Sequence, residues 1–569
     1  MDDAPYEPSL TSGIDVNPSA KMRIVSTFRS LGHRDAWLGE YDWAGLFKPR
    51  WNPYSRTNYT NGESMLFYGL KDKLPVLLAA IAGLQHALAT LVGIVTPPTI
   101  ISSSLNLPIE QKSYLVSASL ITSGILSCMQ MSRIPLPGRY QLGTGVLSVV
   151  GTSFATLSTA SGIISHLYSD GTCAVVDGVK QACPEAYGYI LGTSALCSLL
   201  EMAISFVPIK YIKRALPPVI TGPVVCLIGV ALISDSGFAN WGGGSGCGPD
   251  PATNCFDPHG YLWGSGRYIG LGFLPFVVVV LVEVFGSPAM RSISVILGLF
   301  LPLIVAGPAG YISSVNIEAA KPITFLWVYT FPLRIYAPAM LPLLAVYLSL
   351  AAEAVGDITA TCEMSRLEVD GEAFDRRLQG GVLSDGLGGL LSALFTVTPM
   401  SLFAQNNGVI AITRIANRQA GYWCCAWLVL FGVLGKTSGA FLSVPAPVLG
   451  GVTTILFASV AVSGIRIISM VKLTRRVRLL LTLSLGIGFG NLLVPSWFSS
   501  VFTYPDDGSN HALQGFMNSI EIIVETPFLI SAVVGLIANA ILPLEAEDVA
   551  VIEEERANKE QRTAENGLC

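Results

Sequence analysis

Fourteen apolar runs, separated by polar or proline-rich breaks, set the terms for anything this chain can fold into. They lie at 74–96, 113–131, 144–161, 187–208, 216–234, 268–286, 291–309, 337–357, 379–397, 402–418, 421–441, 446–465, 477–494 and 519–542. Each is near the length of about 20 residues that a helix rising about 1.5 Å per residue needs to cross a hydrocarbon core about 30 Å thick. A water-soluble globule cannot bury so many. Only 13% of the 569 residues are charged and the mean hydropathy is +0.56, whereas soluble domains carry roughly a quarter charged residues. The expected fold is therefore an all-α polytopic membrane protein.

The first 70 residues are polar and contain Pro, Asp, Arg and Trp, so 1–73 reads as a cytoplasmic tail and not as a cleaved signal. Net charge is a modest −5, with Lys and Arg scattered through loops, and this leaves no footprint for nucleic acid. Placing both termini in the cytoplasm puts sixteen Lys and Arg on inner loops and span ends, including Arg133, Lys210, Lys213, Arg376, Arg466 and Arg478. The outer side then holds Lys112, Lys180, Arg267, Lys321 and Arg334, with Lys436 as a sixth at a span end. That bias follows the positive-inside rule and would be scrambled by one span more or fewer near the middle. In this orientation Cys173 and Cys183 share one outer loop and Cys247 and Cys255 another, where each pair could close a short disulfide. The remaining cysteines, including Cys128, Cys197, Cys226, Cys362, Cys424 and Cys425, read as small apolar residues, because no metal-ligand spacing occurs. No cofactor is implied.

Fourteen spans split into two sets of seven, and an odd number makes the second set cross in the opposite sense, which is the arithmetic of an inverted repeat. The third segment of each half is unusual: 141–161 reads QLGTGVLSVVGTSFATLSTAS and 396–418 reads TVTPMSLFAQNNGVIAITRIANR. Both open with β-branched, Gly or Pro-containing stretches and then turn helical. Two closely packed Gly-rich helices would also fit. Short strand-to-half-helix breaks are the stronger reading, since extended backbone at membrane depth is tolerated only where protein or a water-filled cavity covers it.

Ionisable residues within spans are costly and mark function by default. Glu353 and Asp357 lie four apart on one helix and share a face. Glu353 is a candidate for substrate or proton. Asp357 and Asp385 are either proton sites or groups that hold the core together. His86 sits beside Gln85 in the first span and is either a satisfied core histidine or a proton-accepting group. Glu201, Glu283, Glu521, Glu525 and Lys436 are read as structural, near helix ends or within snorkelling reach of water. The sharpest local signal is Gln405-Asn406-Asn407-Gly408 followed by Thr413-Arg414: three amides at a break, next to the positive end of a half-helix. Such a site suits a ligand with amide-like edges. An amide-rich turn that merely caps a helix is the plainer alternative.

At these residues the sequence resembles the nucleobase-ascorbate transporter family, also called nucleobase-cation symporter family 2. That family's motif is Gln, Glu or Pro, then Asn, any residue, Gly, four residues, Thr, and Arg, Lys or Gly. QNNGVIAITR, from Gln405 to Arg414, fills it. GLQHALA around His86, GTSFAT around Phe154, AAEAVGDITATCEMSRLE around Glu353 and GVLSDGLGGLLSALF around Asp385 extend the resemblance over about 74–542. Within the family the chain is most similar to fungal uric acid-xanthine permeases.

The resemblance implies a proton-coupled symporter that imports xanthine and uric acid across the plasma membrane as a homodimer, with both termini cytoplasmic. It also implies a seven-plus-seven inverted repeat, with a core domain at 74–208 (spans 1–4) and 337–445 (spans 8–11). A gate domain follows at 209–336 (spans 5–7) and 446–542 (spans 12–14), and 543–569 is a cytoplasmic tail. Carried onto matching positions, Glu353 and Gln405 would hold the purine, Phe154 would stack on it, and Ala155 and Ala404 would line the site through backbone. Asp357, Asp385 and His86 would serve proton coupling or core integrity, and Asn406 would couple binding to movement. Gly408, Thr413 and Arg414 complete the motif, while Thr526 and Phe528 match gate positions that affect specificity. A uracil- or adenine-type carrier and an inorganic-anion transporter of the same architecture are the competing functions. An embedded enzyme is disfavoured, because no nucleophile-base pair or metal-ligand cluster accompanies the polar spans.

Overall fold

The computed structural model describes residues 37, 43–49, 67–138, 140–176, 179–208, 217–244, 261–369, 371–403, 405–495, 497–498, 501, 511–551 and 553–554. Cys247 and Cys255 fall outside them, as does Ala404. The chain is mostly helical. Among the described residues, eight helices are long and apolar enough to cross a membrane, or nine if one bent pair counts as a single span.

In chain order the first half runs α1 (Val76–Ser104), α2 (Ile109–Met131), a short strand β1 (Val150–Thr152), α3 (Phe154–Ser169) and α4 (Pro184–Ser205). It continues with α5 (Pro218–Leu232), α6 (Gly266–Phe285) and α7 (Ser294–Phe300). The second half runs α8 (Met340–Met364), α9 (Glu372–Leu394), strand β2 (Met400–Leu402), α10 (Gln405–Thr413) and α11 (Arg418–Val433). It ends with α12 (Ala446–Ser469), α13 (Arg475–Leu493), α14 (His511–Glu525) and α15 (Pro527–Ile541).

Helix packing repeats between the halves. In the first half α4 lies against α8 and α9, and in the second α11 lies against α1 and α2, the corresponding helices of the opposite half. A separate group forms around the α5–α12 pair, with α6 and α7 along α12 and with α13 and α15 along α5. Glycines allow these contacts. A Cβ on Gly229 of α5 would lie 2.4 Å from the Ala461 nitrogen of α12, and one on Gly464 of α12 would lie 2.3 Å from the Cys226 nitrogen of α5. Backbones this close gain dispersion along the whole crossing, the main attraction between helices where lipid is as apolar as leucine.

Several apolar runs are not the single helices that their length suggests, and proline accounts for most of the differences. The run at 291–309 is divided into Pro288–Ser292, α7 and Leu303–Ala306: Ile293, at φ −117° and ψ 22°, interrupts the first junction, and Pro302 has no N–H to continue the ladder at the second. The last run bends by 93° at Thr526, whose φ of −93° and ψ of 110° are those the following Pro527 imposes on its neighbour. The run at 421–441 breaks at Leu434, where Gly435 N–H donates to the Pro322 carbonyl (3.1 Å) and Thr324 N–H to that of Val433 (3.0 Å). Conversely, α1 continues through Pro97 and Pro98 to Ser104. Pro98 cannot donate to Ile94, and the Thr152 hydroxyl supplies the missing bond (3.2 Å), which ties β1 to the first helix. Cys173 and Cys183 form a disulfide, with Cα atoms 5.7 Å apart, beside the end of α1, where Cys183 N–H donates to Leu105 O (3.1 Å).

Candidate functional site

The two irregular third segments meet. β1 and β2 pair antiparallel, Val150 with Leu402, Gly151 with Ser401 and Thr152 with Met400. Ser153 N–H to Pro399 O (2.9 Å) and Phe403 N–H to Val149 O (3.0 Å) extend the ladder at its two ends. Each strand therefore satisfies its buried backbone on the other, which is what allows extended chain at this depth. Half-helices α3 and α10 then start within three residues of their strands, bringing two positive helix ends to one small region. Ser153 caps α3 by accepting from Thr156 N–H (3.2 Å).

Neighbouring helices anchor the strands with different chemistry. On α2, the Ser123 hydroxyl donates to the Val150 carbonyl and Ser127 Oγ accepts from Val150 N–H (2.8 Å). On α9, Asp385 Oδ2 accepts from the Ser401 hydroxyl (2.9 Å) and Oδ1 from Leu402 N–H (3.0 Å). Asp385 is 2% exposed, so the grip lies inside the protein.

Phe154 opens α3 and is half-buried, stacked on Phe403 (centroids 5.5 Å, planes 19° apart) and edge-on to Phe457 of α12 (5.3 Å, 90°). Ala155 behind it is buried. Gln405 opens α10 half-buried; Gly408 and Ala411 along the same side are exposed, and a Cβ on Gly408 would meet nothing within 4 Å. On α8, Glu353 and Asp357 are half-buried on either side of exposed Gly356, which also faces open space. Thr361, one turn beyond Asp357, donates its hydroxyl to Asn407 Oδ1 (2.7 Å), so the face carrying Glu353, Asp357 and Thr361 looks toward α10. Asp357 Oδ2 is buried without a hydrogen bond.

Asn406 is buried and its amide donates to the Leu147 carbonyl ahead of β1 (2.9 Å). His86 is fully buried and faces Asn406, but neither ring nitrogen makes a hydrogen bond of good geometry. Thr413 closes α10 by donating to the Val409 carbonyl (2.8 Å). Arg414 follows at φ 57°, left-handed backbone in which glycine, the motif's other option there, is unstrained. Tyr68 pairs with this end, its N–H donating to Arg414 O (3.0 Å), and Asn417 Nδ2 donates to the carbonyls of Gly69 (3.2 Å) and Asp72 (2.6 Å). Thr526 lies at the α14–α15 bend facing Gly162 of α3, and Phe528 is fully buried in the main core.

The strand anchors Ser123 and Ser127, the stacking partner Phe403 and the edge-on Phe457 escape a reading of the sequence. Phe403 carried one usable signal, an aromatic directly ahead of a break. Phe457 carried none, since an aromatic on an apolar helix is usually core. Glu201 requires a correction: it is 1% exposed, on the face of α4 that packs against α8 and α9.

A polytopic helical protein with paired strands and two half-helices facing a polar helix is a membrane transporter, not an enzyme. Residues 78–497 match the permease family (Xan_ur_permease), and the chain belongs to that family. A purine permease of Emericella nidulans is 48% identical over 555 residues, covering 95% of this chain and 94% of its own. A uric acid-xanthine permease of the same organism is 47% identical over 538 residues, 94% and 92% of the two chains. The xanthine permease XanQ of Escherichia coli is 31% identical over 487 residues, 86% and 96% of the two chains. Among solved structures, the murine anion transporter Slc26a9 in its inward-facing state shares the fold with a TM-score of 0.53 at 10% identity, covering 74% of this chain and 66% of that one.

Proposed function

We propose that this protein is a proton-coupled symporter that imports oxidised purines, xanthine and uric acid, across the plasma membrane. What supports the reading is the position of Phe154 and Gln405 at the paired breaks and of Glu353 on α8, which packs against α3, β2 and α10, in a chain whose 47–48% identical relatives are purine and uric acid-xanthine permeases. A carboxylate accepts from adjacent N–H groups, a carboxamide both donates and accepts, and an aromatic face stacks; together they match the edge and plane of an oxidised purine. Glu353 and Gln405 hold the edge, Phe154 covers the plane, and Ala155 lines the site by backbone. Asn406 and His86 link the clamp to α1, Asp357 and Asp385 serve coupling or integrity, and Thr526 and Phe528 tune access.

The repeated packing supports fourteen spans in a seven-plus-seven inverted repeat. In this reading 74–208 and 337–445 form the core domain and 209–336 and 446–542 the gate, with tails 1–73 and 543–569 in the cytoplasm and the protein a homodimer. Uptake of labelled xanthine by intact cells lacking their own carriers tests substrate and membrane together. Uptake that collapses with a protonophore and ignores sodium replacement is expected; uptake insensitive to competing purines, or dependent on sodium, would defeat the reading.

Gly151 offers a second test. A Cβ there would lie 2.4 Å from the Phe403 ring, which must then leave its stack on Phe154. Such stacking is worth about 0.5–1.5 kcal/mol, so Gly151→Ala is expected to weaken xanthine binding roughly 2- to 12-fold in an equilibrium assay on purified protein. Unchanged affinity would remove Phe154 and Phe403 from the site.

A further inference from the structure

Glu201 is the buried acid for which the purine clamp has no use. It is 1% exposed, and neither carboxyl oxygen accepts a hydrogen bond. Helices α4 and α9 touch here: a Cβ on Gly386 would lie 2.8 Å from Met202 N and 3.2 Å from the carbonyl carbon of Glu201. This contact sets the Glu201 carboxyl beside that of Asp385, the residue before Gly386. Asp385 is already committed, one oxygen to the Ser401 hydroxyl and the other to Leu402 N–H. The other groups facing Glu201 are Glu353 and Tyr347 on α8, with Cys197 one turn away on α4 itself, and none is a cation. The Tyr347 hydroxyl is occupied by Ser194 (2.9 Å). Two carboxylates cannot hydrogen-bond each other. A proton on one of them can bridge the pair, and Glu201, with no donor of its own, is where it belongs.

We propose that Glu201 and Asp385 together form the binding site of the transported proton, held as O–H on Glu201 and donated to Asp385. This rests on the reading of the protein as a proton-coupled purine carrier. Entry converts the Glu201 carboxylate to its acid; release to the cytoplasm restores it, and no other bond changes. Loss of the proton leaves two carboxylates in contact, and their repulsion bears on Asp385, the residue that holds β2. Leu402 lies three residues before Gln405, so proton release is felt at the clamp.

Glu201→Gln keeps a donor to Asp385 but has no proton to release. In proteoliposomes with labelled xanthine, counterflow is expected to stay within about 2-fold of the parent while uptake driven by an inward proton gradient falls roughly 10-fold or more and loses its pH dependence. A variant that accumulates xanthine with the parent's pH profile overturns the proposal. Should the glutamine variant not reach the membrane, Glu201→Asp keeps a carboxyl in altered geometry. Gradient-driven uptake with a displaced pH midpoint is then expected, and an unchanged midpoint, or no gradient-driven uptake, overturns it. Sodium-driven uptake by the parent overturns it as well. A parent that carries no xanthine fails the purine reading itself, whereas a parent and glutamine variant that accumulate it alike fail only the shared proton.

Discussion

Asp385→Ala is expected to abolish transport and to leave little protein at the cell surface. The substitution removes the acceptor of both the Ser401 hydroxyl and Leu402 N–H, at a position only 2% exposed. Hydrogen bonds to a charged group are worth about 1.5–3 kcal/mol each, so the pair represents roughly 3–6 kcal/mol. Native domains hold only about 5–15 kcal/mol in reserve. Leu402 N–H cannot turn elsewhere, because β2 has β1 on one side and α9 on the other. Asp385→Asn separates integrity from charge: its Oδ1 still accepts from Leu402, and the Ser401 hydroxyl can rotate to accept from the new amide. The asparagine variant is expected to reach the surface and melt within a few degrees of the parent in detergent, yet to fail in gradient-driven uptake. An alanine variant with the parent's surface level and melting temperature would show that α9 does not hold β2 in place.

How far the sequence reached can be judged helix by helix. The two breaks were legible because extended and helical preferences change over within a few residues, at TSF in one half and FAQN in the other. Their antiparallel pairing was not, since a three-residue strand has no alternation from which to read a register. Pro97-Pro98 looks like a stop, and only Thr152, more than fifty residues away, makes it a continuation. Pro527 looks like one more proline within a span, and the structure shows a 93° bend at the residue it restricts, Thr526. Glu201 was misread for a similar reason. Proximity to a helix end suggests water, but the helices that enclose the end decide whether water is there. Side chains acting on their own element could be read from one sequence; side chains repairing a neighbour's backbone could not.

Gln405→Glu is expected to weaken xanthine binding by roughly 5-fold to 150-fold, the effect of leaving one buried ligand acceptor unpaired at about 1–3 kcal/mol and 1.4 kcal/mol per decade. The shape is kept and the N–H donors are lost. Gln405 is two residues from Asn407, which the Thr361 hydroxyl holds against α8, so its position relative to Glu353 is fixed by a bond outside the clamp. Glu353 lies two turns before Thr361 on the same face, with open space beside Gly356 and Gly408 between the two helices. Glu353→Gln exchanges a charge-assisted acceptor for a neutral one about half as strong and is expected to weaken binding by about 3- to 12-fold. A carboxylate at 405 also adds like charge beside Glu353, which would weaken binding with no purine edge being read. The double variant Glu353→Gln with Gln405→Glu removes that repulsion while keeping one acid and one amide, now exchanged. If repulsion is the cause, the double variant recovers the parent's affinity. If the two side chains read a fixed order of donors and acceptors, it stays at least about 2-fold weaker than the parent, because residues sharing one ligand couple by 0.5–3 kcal/mol or so. Equilibrium binding on purified variants with surface levels like the parent's decides between these outcomes, and parent-like affinity in both single variants would leave the clamp without its two arms.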